Sequence, residues 1–199
     1  MKKVFLGVGV ILCTMASAQS APGLRFGIKA GGNLSGLTNT KKAAGMDMQS
    51  KTGFHAGVMM NAPIARCFSI QPEVLYSGQG AKEKNSNVRL RWNLGYINVP
   101  VMFRYHATPG VYIEAGPEVG LLTSSKFRYK FEGESMTEDA KKGTKSFSFG
   151  MGLGAGYRFT PNLSINARYT AGFSDIIKKN TDAAAVKNRS TSLGIGYTF

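Results

Sequence analysis

From Leu24 to Phe199, apolar residues recur at every second position. The clearest run is SFSFGMGLGAGYRF, residues 146–159. Phe147, Phe149, Met151, Leu153, Ala155, Tyr157 and Phe159 alternate there with Ser148, Gly150, Gly152, Gly154, Gly156 and Arg158. A period of two puts the two sets on opposite faces of a β-strand. Seven further segments alternate in the same way: LRFGIKAGGNL (24–34), GFHAGVMMNA (53–62), FSIQPEVLYS (68–77), YINVPVMFRY (96–105), VYIEAGPEVGLL (111–122), LSINARYTAGF (163–173) and SLGIGYTF (192–199). The pattern predicts eight strands.

Each segment is about as long as a tilted strand needs to be to cross a bilayer. Three connections are tight, around Pro63, Pro109 and Pro161. Four are long and polar, at 36–51, 78–91, 123–145 and 174–188. Short turns at one end and long loops at the other predict an all-β fold: a closed antiparallel eight-stranded up-and-down transmembrane β-barrel, both termini periplasmic. Pro72, Pro100 and Pro117 fall inside strands and predict bulges or local breaks, because proline has no ladder donor. Trp92 and Leu94 do not alternate in step with Ile97, which predicts a slip of phase near Tyr96.

Alternation alone leaves open which face is inside, since a soluble lipocalin-like barrel also alternates. The glycines separate the two cases. On a watery surface a glycine run only weakens a strand, whereas in a narrow eight-stranded interior it makes room. The glycine face also carries Arg25, Lys29, Glu73, Arg104, Glu114, Glu118, Arg158 and Arg168. Five cations and three anions on one face form a candidate lumen network, tolerable only if paired and hydrogen-bonded. The opposite face carries Tyr105, Tyr157, Phe159, Tyr169, Phe173, Tyr197 and Phe199 near strand ends, as in aromatic girdles.

The first residues change the setting. Lys2 and Lys3 precede an apolar run from Val4 to Met15, and Ala16-Ser17-Ala18 follows. This pattern predicts a secretory signal peptide over 1–18, cut between Ala18 and Gln19, and a barrel domain over 19–199 in the cell outer membrane. A lipoprotein would need a small residue before Cys13, where Leu12 stands. Cleavage leaves Cys67 as a single cysteine, so no internal disulfide is expected.

QPEVLYSGQGAK (71–82), LGYINVPVMFRYH (94–106), YIEAGPEVGLL (112–122) and ARYTAGFSDI (167–176) together resemble the PorT-like outer-membrane β-barrel family of Gram-negative bacteria. The resemblance runs from Leu24 to Phe199. It implies an eight-stranded outer-membrane barrel with prolines at places like Pro72, Pro100 and Pro117. It also implies a C-terminal signal, here Tyr197 and Phe199, read by the barrel-assembly machinery. One branch of the family is associated with protein secretion, and no catalytic motif carries over.

The formal net charge is +14, from 25 Lys and Arg against 11 Asp and Glu. Much of the excess lies in the long connections, where it reads either as ordinary solvated loops or as a surface suited to lipopolysaccharide phosphates, outer-membrane lipid or an acidic surface or envelope protein. Nucleic acid is not expected, because no recognition helix or aromatic-interleaved basic stripe occurs. His55 and His106 are the only histidines. They fall at opposite ends of the predicted barrel, so His55, near the rim with Ser35 and Asp47, is the one candidate general base. No clustered metal ligands are visible, the glycines of 150–156 follow strand period rather than a dinucleotide loop, and no cofactor is expected. The leading reading is a non-enzymatic structural or interaction barrel acting through basic surface loops. A narrow porin-like channel and, further off, an outer-membrane hydrolase are the alternatives.

Overall fold

The computed structural model describes residues 23–38, 48–83, 89–131, 134–176 and 185–199. The expected cleavage between Ala18 and Gln19 lies outside them, as does Asp47. The described strands are β1 (Arg25–Leu37), β2 (Met48–Ala65), β3 (Phe68–Glu83), β4 (Arg89–His106), β5 (Val111–Phe131), β6 (Glu134–Asp139), β7 (Phe147–Arg158), β8 (Leu163–Gly172) and β9 (Asn188–Thr198). Every pairing is antiparallel. The order β4-β3-β2-β1-β9-β8-β7-β5 is joined end to end by β4–β5, so eight strands form a ring of hydrogen bonds. β6 pairs only with the far part of β5 and forms a hairpin beyond the ring. The tight connections gather at one end of the ring, the turn end; the long ones leave from the other, the loop end.

Several strands outrun their predicted ends. Much of 78–91 and 123–145, expected as loop, is paired strand: Gln79 faces Leu94, Ala81 faces Trp92, and Trp92 faces Phe127. The prolines give the expected local breaks, but not bulges. Pairing lapses for two residues beside Pro72 and again beside Pro100, yet register is the same on both sides, and Pro117 sits opposite Met151 in an unbroken run with β7. The register shifts lie elsewhere, between Ser50 and His55, between Pro63 and Ala65, and at Gly95/Tyr96.

The shift at Gly95/Tyr96 corrects the expected slip. Tyr96, Leu94 and Trp92 keep the inward parity of Asn98, Met102 and Arg104, and all are buried. The extra residue is in β5, where Gly95 faces Ser124 and Tyr96 faces Leu122, so Thr123 is bulged out. Past the bulge Ser125 is buried and Lys126 exposed. What changes at Gly95 is not the face but its chemistry. Below it, the inside is mostly polar and the outside apolar; above it, apolar residues turn inward and charged ones outward.

The outer face below that point is an apolar band. Ile28, Val74, Phe103, Ile113, Leu153, Leu193 and Ile195 are all exposed on it. Aromatic rings line both margins. Phe68–Tyr105, Tyr157–Phe159 and Tyr197–Phe199 pair toward the turn end at 5.2, 5.0 and 5.7 Å between centroids. Phe54–Tyr76 and Phe149–Phe173 pair toward the loop end at 5.8 and 6.1 Å. Phe68 to Tyr76 on β3 spans about 27 Å along a strand, or about 20 Å across the band after strand tilt, close to the height of a bilayer's apolar slab.

Candidate functional site

The centre of the ring holds a connected ionic circuit. Arg168 on β8 donates from Nη1 to Glu73 Oε2 at 2.9 Å and from Nη2 to Glu73 Oε1 at 2.8 Å. Its Nε donates to Glu114 Oε1 at 2.8 Å. Arg104 Nε donates to Glu114 Oε2 at 2.9 Å, and Arg104 Nη1 donates to Gln71 Oε1. Gln71 Nε2 returns to Glu73 Oε1 at 2.8 Å, and Lys29 Nζ lies 3.2 Å from both oxygens of Glu73. These side chains are almost fully buried. Each buried carboxylate thus meets two cations, the condition under which burial of charge is tolerated.

Three of the eight predicted network residues stand outside this circuit. Among the described residues Arg25 and Arg158 form no ion pair; Arg158 lies toward the turn end, within electrostatic reach of Arg25 and Arg104. Glu118 accepts from Asn98 Nδ2 at 2.8 Å and from Thr170 Oγ1 at 3.4 Å, with no cation paired to it. Gln71, which closes the circuit, was legible as an inward polar residue but carries no charge to mark it.

The interior is less polar than expected, since Met59, Leu75, Met102 and Tyr112 are also buried inside. The inward glycines make room for particular side chains. A Cβ on Gly156 would run into the Tyr112 ring, which in turn holds the Arg104 guanidinium 4.3 Å from its centroid. Gly31 and Gly194 flank the His55 ring in the same manner.

At the loop end the interior is closed by an apolar cap. Leu37, Ala81, Trp92, Leu94, Tyr96, Leu122, Ile176 and Val186 form one buried cluster. Trp92 stacks on Phe127 at 4.7 Å and donates from Nε1 to Ser125 Oγ at 3.0 Å. Ser125 Oγ in turn lies 3.0 Å from Thr144 Oγ1, tying the cap to the segment that leads into β7.

His106 lies at the turn end, as expected, but His55 is placed differently from the expectation. His55 points inward but sits opposite Gly31, four residues deeper than the Ser35–Lys51 pair. Neither ring nitrogen has a partner, and Ser35 Oγ is engaged by Gly80 and Lys51. The serine–histidine contact that does exist is Ser69 Oγ to His106 Nε2, 3.0 Å, at the turn end. Ser69 is 2% exposed and its oxygen also accepts from Asn61, so an acyl substrate has no approach to it.

Above the apolar band, the outer face carries a row of cations on adjacent strands. Lys82 on β3 faces Arg91 on β4, and Arg91 faces Arg128 on β5. All three are exposed, and no carboxylate pairs with them among the described residues. Lys51 lies close by, its ammonium pushed below the usual lysine range by burial and then by the charge of Arg91. Directly opposed like charges of this kind weaken a sheet.

Tyr197 and Phe199 lie on the exposed outer face at the end of β9, and Phe199 N–H donates to Phe26 O at 2.8 Å. Cys67 is a free, half-buried thiol at the β2–β3 turn.

No curated protein matches the sequence. Among solved structures, Ail, the attachment invasion locus protein of Yersinia pestis, superposes with a TM-score of 0.52 at 17% identity, over 89% of this chain and 99% of Ail. Neisserial surface protein A superposes with a TM-score of 0.56 at 16% identity, over 87% of this chain and 97% of that one. Ail in complex with the heparin analogue sucrose octasulfate matches equally, with a TM-score of 0.52 at 16% identity. At these identities the likeness is one of fold. Residues 17–178 match the family described as outer membrane protein beta-barrel domain. The chain, with its ring of eight antiparallel strands and its apolar outer band, belongs to that outer-membrane β-barrel family.

Proposed function

We propose that this protein is a non-enzymatic outer-membrane barrel, closed to solute flow, that works as a structural or interaction protein through the basic rim of its loop end. The observation that carries the reading is the Arg168–Glu73 pair, which bridges the lumen beneath the apolar cap of Trp92, Leu94, Tyr96 and Leu122. A lumen filled by an ionic circuit and then by packed apolar side chains serves as a rigid pillar rather than a conduit. The turn end and both termini face the periplasm and the loop end faces outward. Tyr197 and Phe199 present an exposed aromatic pair for the barrel-assembly machinery.

The partner surface on this reading is the row Lys82, Arg91 and Arg128. Its ligand is a phosphate-bearing one, the lipopolysaccharide of the outer leaflet, since cations in register across three strands match closely spaced phosphates. Ail, a barrel of this fold, is solved in complex with the heparin analogue sucrose octasulfate, which supports a polyanionic ligand. Membership in the PorT-like branch, and with it a link to secretion, rests on the order of the motifs between Gln71 and Ile176; a pull-down from intact outer membranes tests it.

The basic rim is tested by binding of purified lipopolysaccharide to the barrel in neutral-lipid vesicles across a salt series. Replacing Lys82, Arg91 and Arg128 together by glutamine should weaken binding and flatten its salt dependence. Equal affinity and equal salt dependence in parent and triple variant would refute the assignment.

A further inference from the structure

The turn-end mouth of the ring carries cations and no acidic side chain. Of the chain's 11 Asp and Glu, Glu73, Glu114 and Glu118 lie in the lumen, and all the others fall in the long connections 36–51, 78–91, 123–145 and 174–188. The last inward position of β1 is Arg25 and that of β7 is Arg158. Both are half-buried, so solvent reaches them from the turn end. The charge of Arg25 acts on Arg158 more strongly than that of Arg104, so the two guanidinium groups share one mouth. The α-carboxylate of Phe199 forms no ion pair with either among the described residues.

The donors of this mouth are unused. Among the described residues neither the Arg25 nor the Arg158 side chain makes a hydrogen bond. Ser164 stands opposite Arg158 on β8. Tyr112 is 1% exposed, and its hydroxyl, next to Ser164, completes no hydrogen bond. The Tyr112 ring holds the Arg104 guanidinium on one face and so forms the floor between the mouth and the ionic circuit. Below that floor every arginine is spent on a carboxylate; above it none is. Two free guanidinium forks and an orphaned buried phenol therefore point at one place with nothing to accept from them. A guanidinium fork fits an oxyanion bidentately. Two forks on separate strands use up the two oxygens of a planar carboxylate, whereas a tetrahedral phosphate keeps a further oxygen for the phenol.

We propose that the turn-end mouth binds a single phosphate group, gripped by Arg25 and Arg158 and met from the floor by the Tyr112 hydroxyl. The group belongs to a soluble phosphate or phosphomonoester rather than to a lipid headgroup, because the two forks lie on the lumen face and not on the apolar band. On the orientation given above the site opens to the periplasm, and its chemistry does not depend on that orientation. It is separate from the Lys82–Arg91–Arg128 row, which lies on the outer face at the opposite end.

Inorganic phosphate is titrated into the folded barrel in nanodiscs of zwitterionic lipid, with ionic strength held constant by sodium chloride. The amide signals of Arg25, Tyr112, Arg158 and Ser164 are followed by NMR. They should shift and saturate at millimolar phosphate, and acetate should bind there more weakly. Arg25→Gln and Arg158→Gln should each weaken phosphate binding about tenfold or more, as loss of a charge-assisted hydrogen bond implies. Arg66→Gln, at an exposed cation of the same end but outside the mouth, should leave it unchanged. Tyr112→Phe should reduce the preference for phosphate over acetate. Replacing Lys82, Arg91 and Arg128 together by glutamine should not alter the turn-end titration, so the two anion sites stand or fall separately. No saturation at the turn-end amides, acetate bound as tightly as phosphate, or Arg66→Gln as damaging as Arg158→Gln would overturn the proposal. Shifts of the same amides on adding phosphatidylglycerol to the nanodiscs, with no soluble phosphate present, would overturn the soluble source in favour of a headgroup. If an arginine variant fails to fold, the phosphate, acetate and phosphatidylglycerol arms on the parent protein still decide the matter.

Discussion

Arg168 and Glu73 meet at 2.8 Å although their strands are as far apart as the ring allows. From β3 to β8 the path runs through β2, β1 and β9 in one direction and through β4, β5 and β7 in the other. Four steps either way means the pair crosses the axis. Arg168 also holds Glu114, Arg104 reaches Glu114 from β4, and Lys29 reaches Glu73 from β1, so five of the eight strands are tied together through two carboxylates.

That arrangement ranks the lumen cations. Removing Arg168 leaves Glu73 and Glu114 each short of a partner in a buried position, and breaking a buried pair in this way costs about 3–5 kcal/mol. Removing Lys29 leaves Glu73 with both Arg168 bonds and Gln71, at a cost of about 1.5 kcal/mol. Urea unfolding in lipid vesicles should therefore place Arg168→Ala well below Lys29→Ala. The reverse order would mean that Arg168 is not the hub.

The glycines of β7 should not be equivalent. A Cβ at Gly156 meets the Tyr112 ring, which is packed against Arg104, whereas one at Gly152 comes only within 3.3 Å of the Met102 terminal methyl and 3.4 Å of Arg168 Cδ. Gly156→Ala should lose about 1–3 kcal/mol through overpacking, and Gly152→Ala clearly less because flexible chain ends can yield. Equal losses would show that the glycines act through backbone freedom rather than space.

The residues of β7 and β8 announced their strands and faces because, within the apolar band, outside and inside differ sharply in chemistry. Lys29, Glu73, Arg104, Glu114 and Arg168 were visible as inward charges for the same reason. The loop end was harder to read. There the outer face meets water, so Arg91 and Lys126 point out and Trp92, Leu94 and Leu122 point in. The same period of two continues with its polarity reversed, which along β4 looks like a slip of phase and along 78–91 and 123–145 looks like polar loop. The real slip, the Thr123 bulge, falls among TSS, where neither face carries a hydrophobic marker. Gln71 and the Ser69–His106 contact depend on which side chains meet across strands, which a pattern along one strand does not encode.

The reversal of polarity has its own test. Trp92 lies just past the 78–91 stretch that reads as loop, where the alternation reads as slipped, yet it is 7% exposed and stacked on Phe127. Trp92→Ala should cost about 3–5 kcal/mol, as for a core aromatic. A loss within about 0.5 kcal/mol, the usual scale for a surface residue, would remove the cap from the interior.

On the outer band the opposite change is the informative one. Leu153 is 65% exposed at the middle of β7. Leu153→Arg should cost about 2–4 kcal/mol in a bilayer, the depth-dependent cost of a lipid-facing cation. Folding of this variant into vesicles like the parent would mean that the β7 face points to water.

Conduction is the decisive test of the closed lumen. An ion travelling the axis would have to part the Arg168–Glu73–Glu114–Arg104 circuit and then pass between Trp92, Leu94, Tyr96 and Leu122. Eight strands enclose only enough width for side chains, so neither layer leaves a bypass. The two layers act in series, and opening one does not open the path. Purified protein in planar bilayers should show only rare, small and noisy events. Truncating Glu114 or Arg104 to alanine should not change that, because the apolar cap still stands. Only combined loss of the circuit and the cap, as in Arg168→Ala with Trp92→Ala, should yield a sustained current in whatever fraction folds. A steady conductance in the parent protein, or one that grows on truncation of Glu114 or Arg104 alone, would refute the closed lumen and favour the narrow channel.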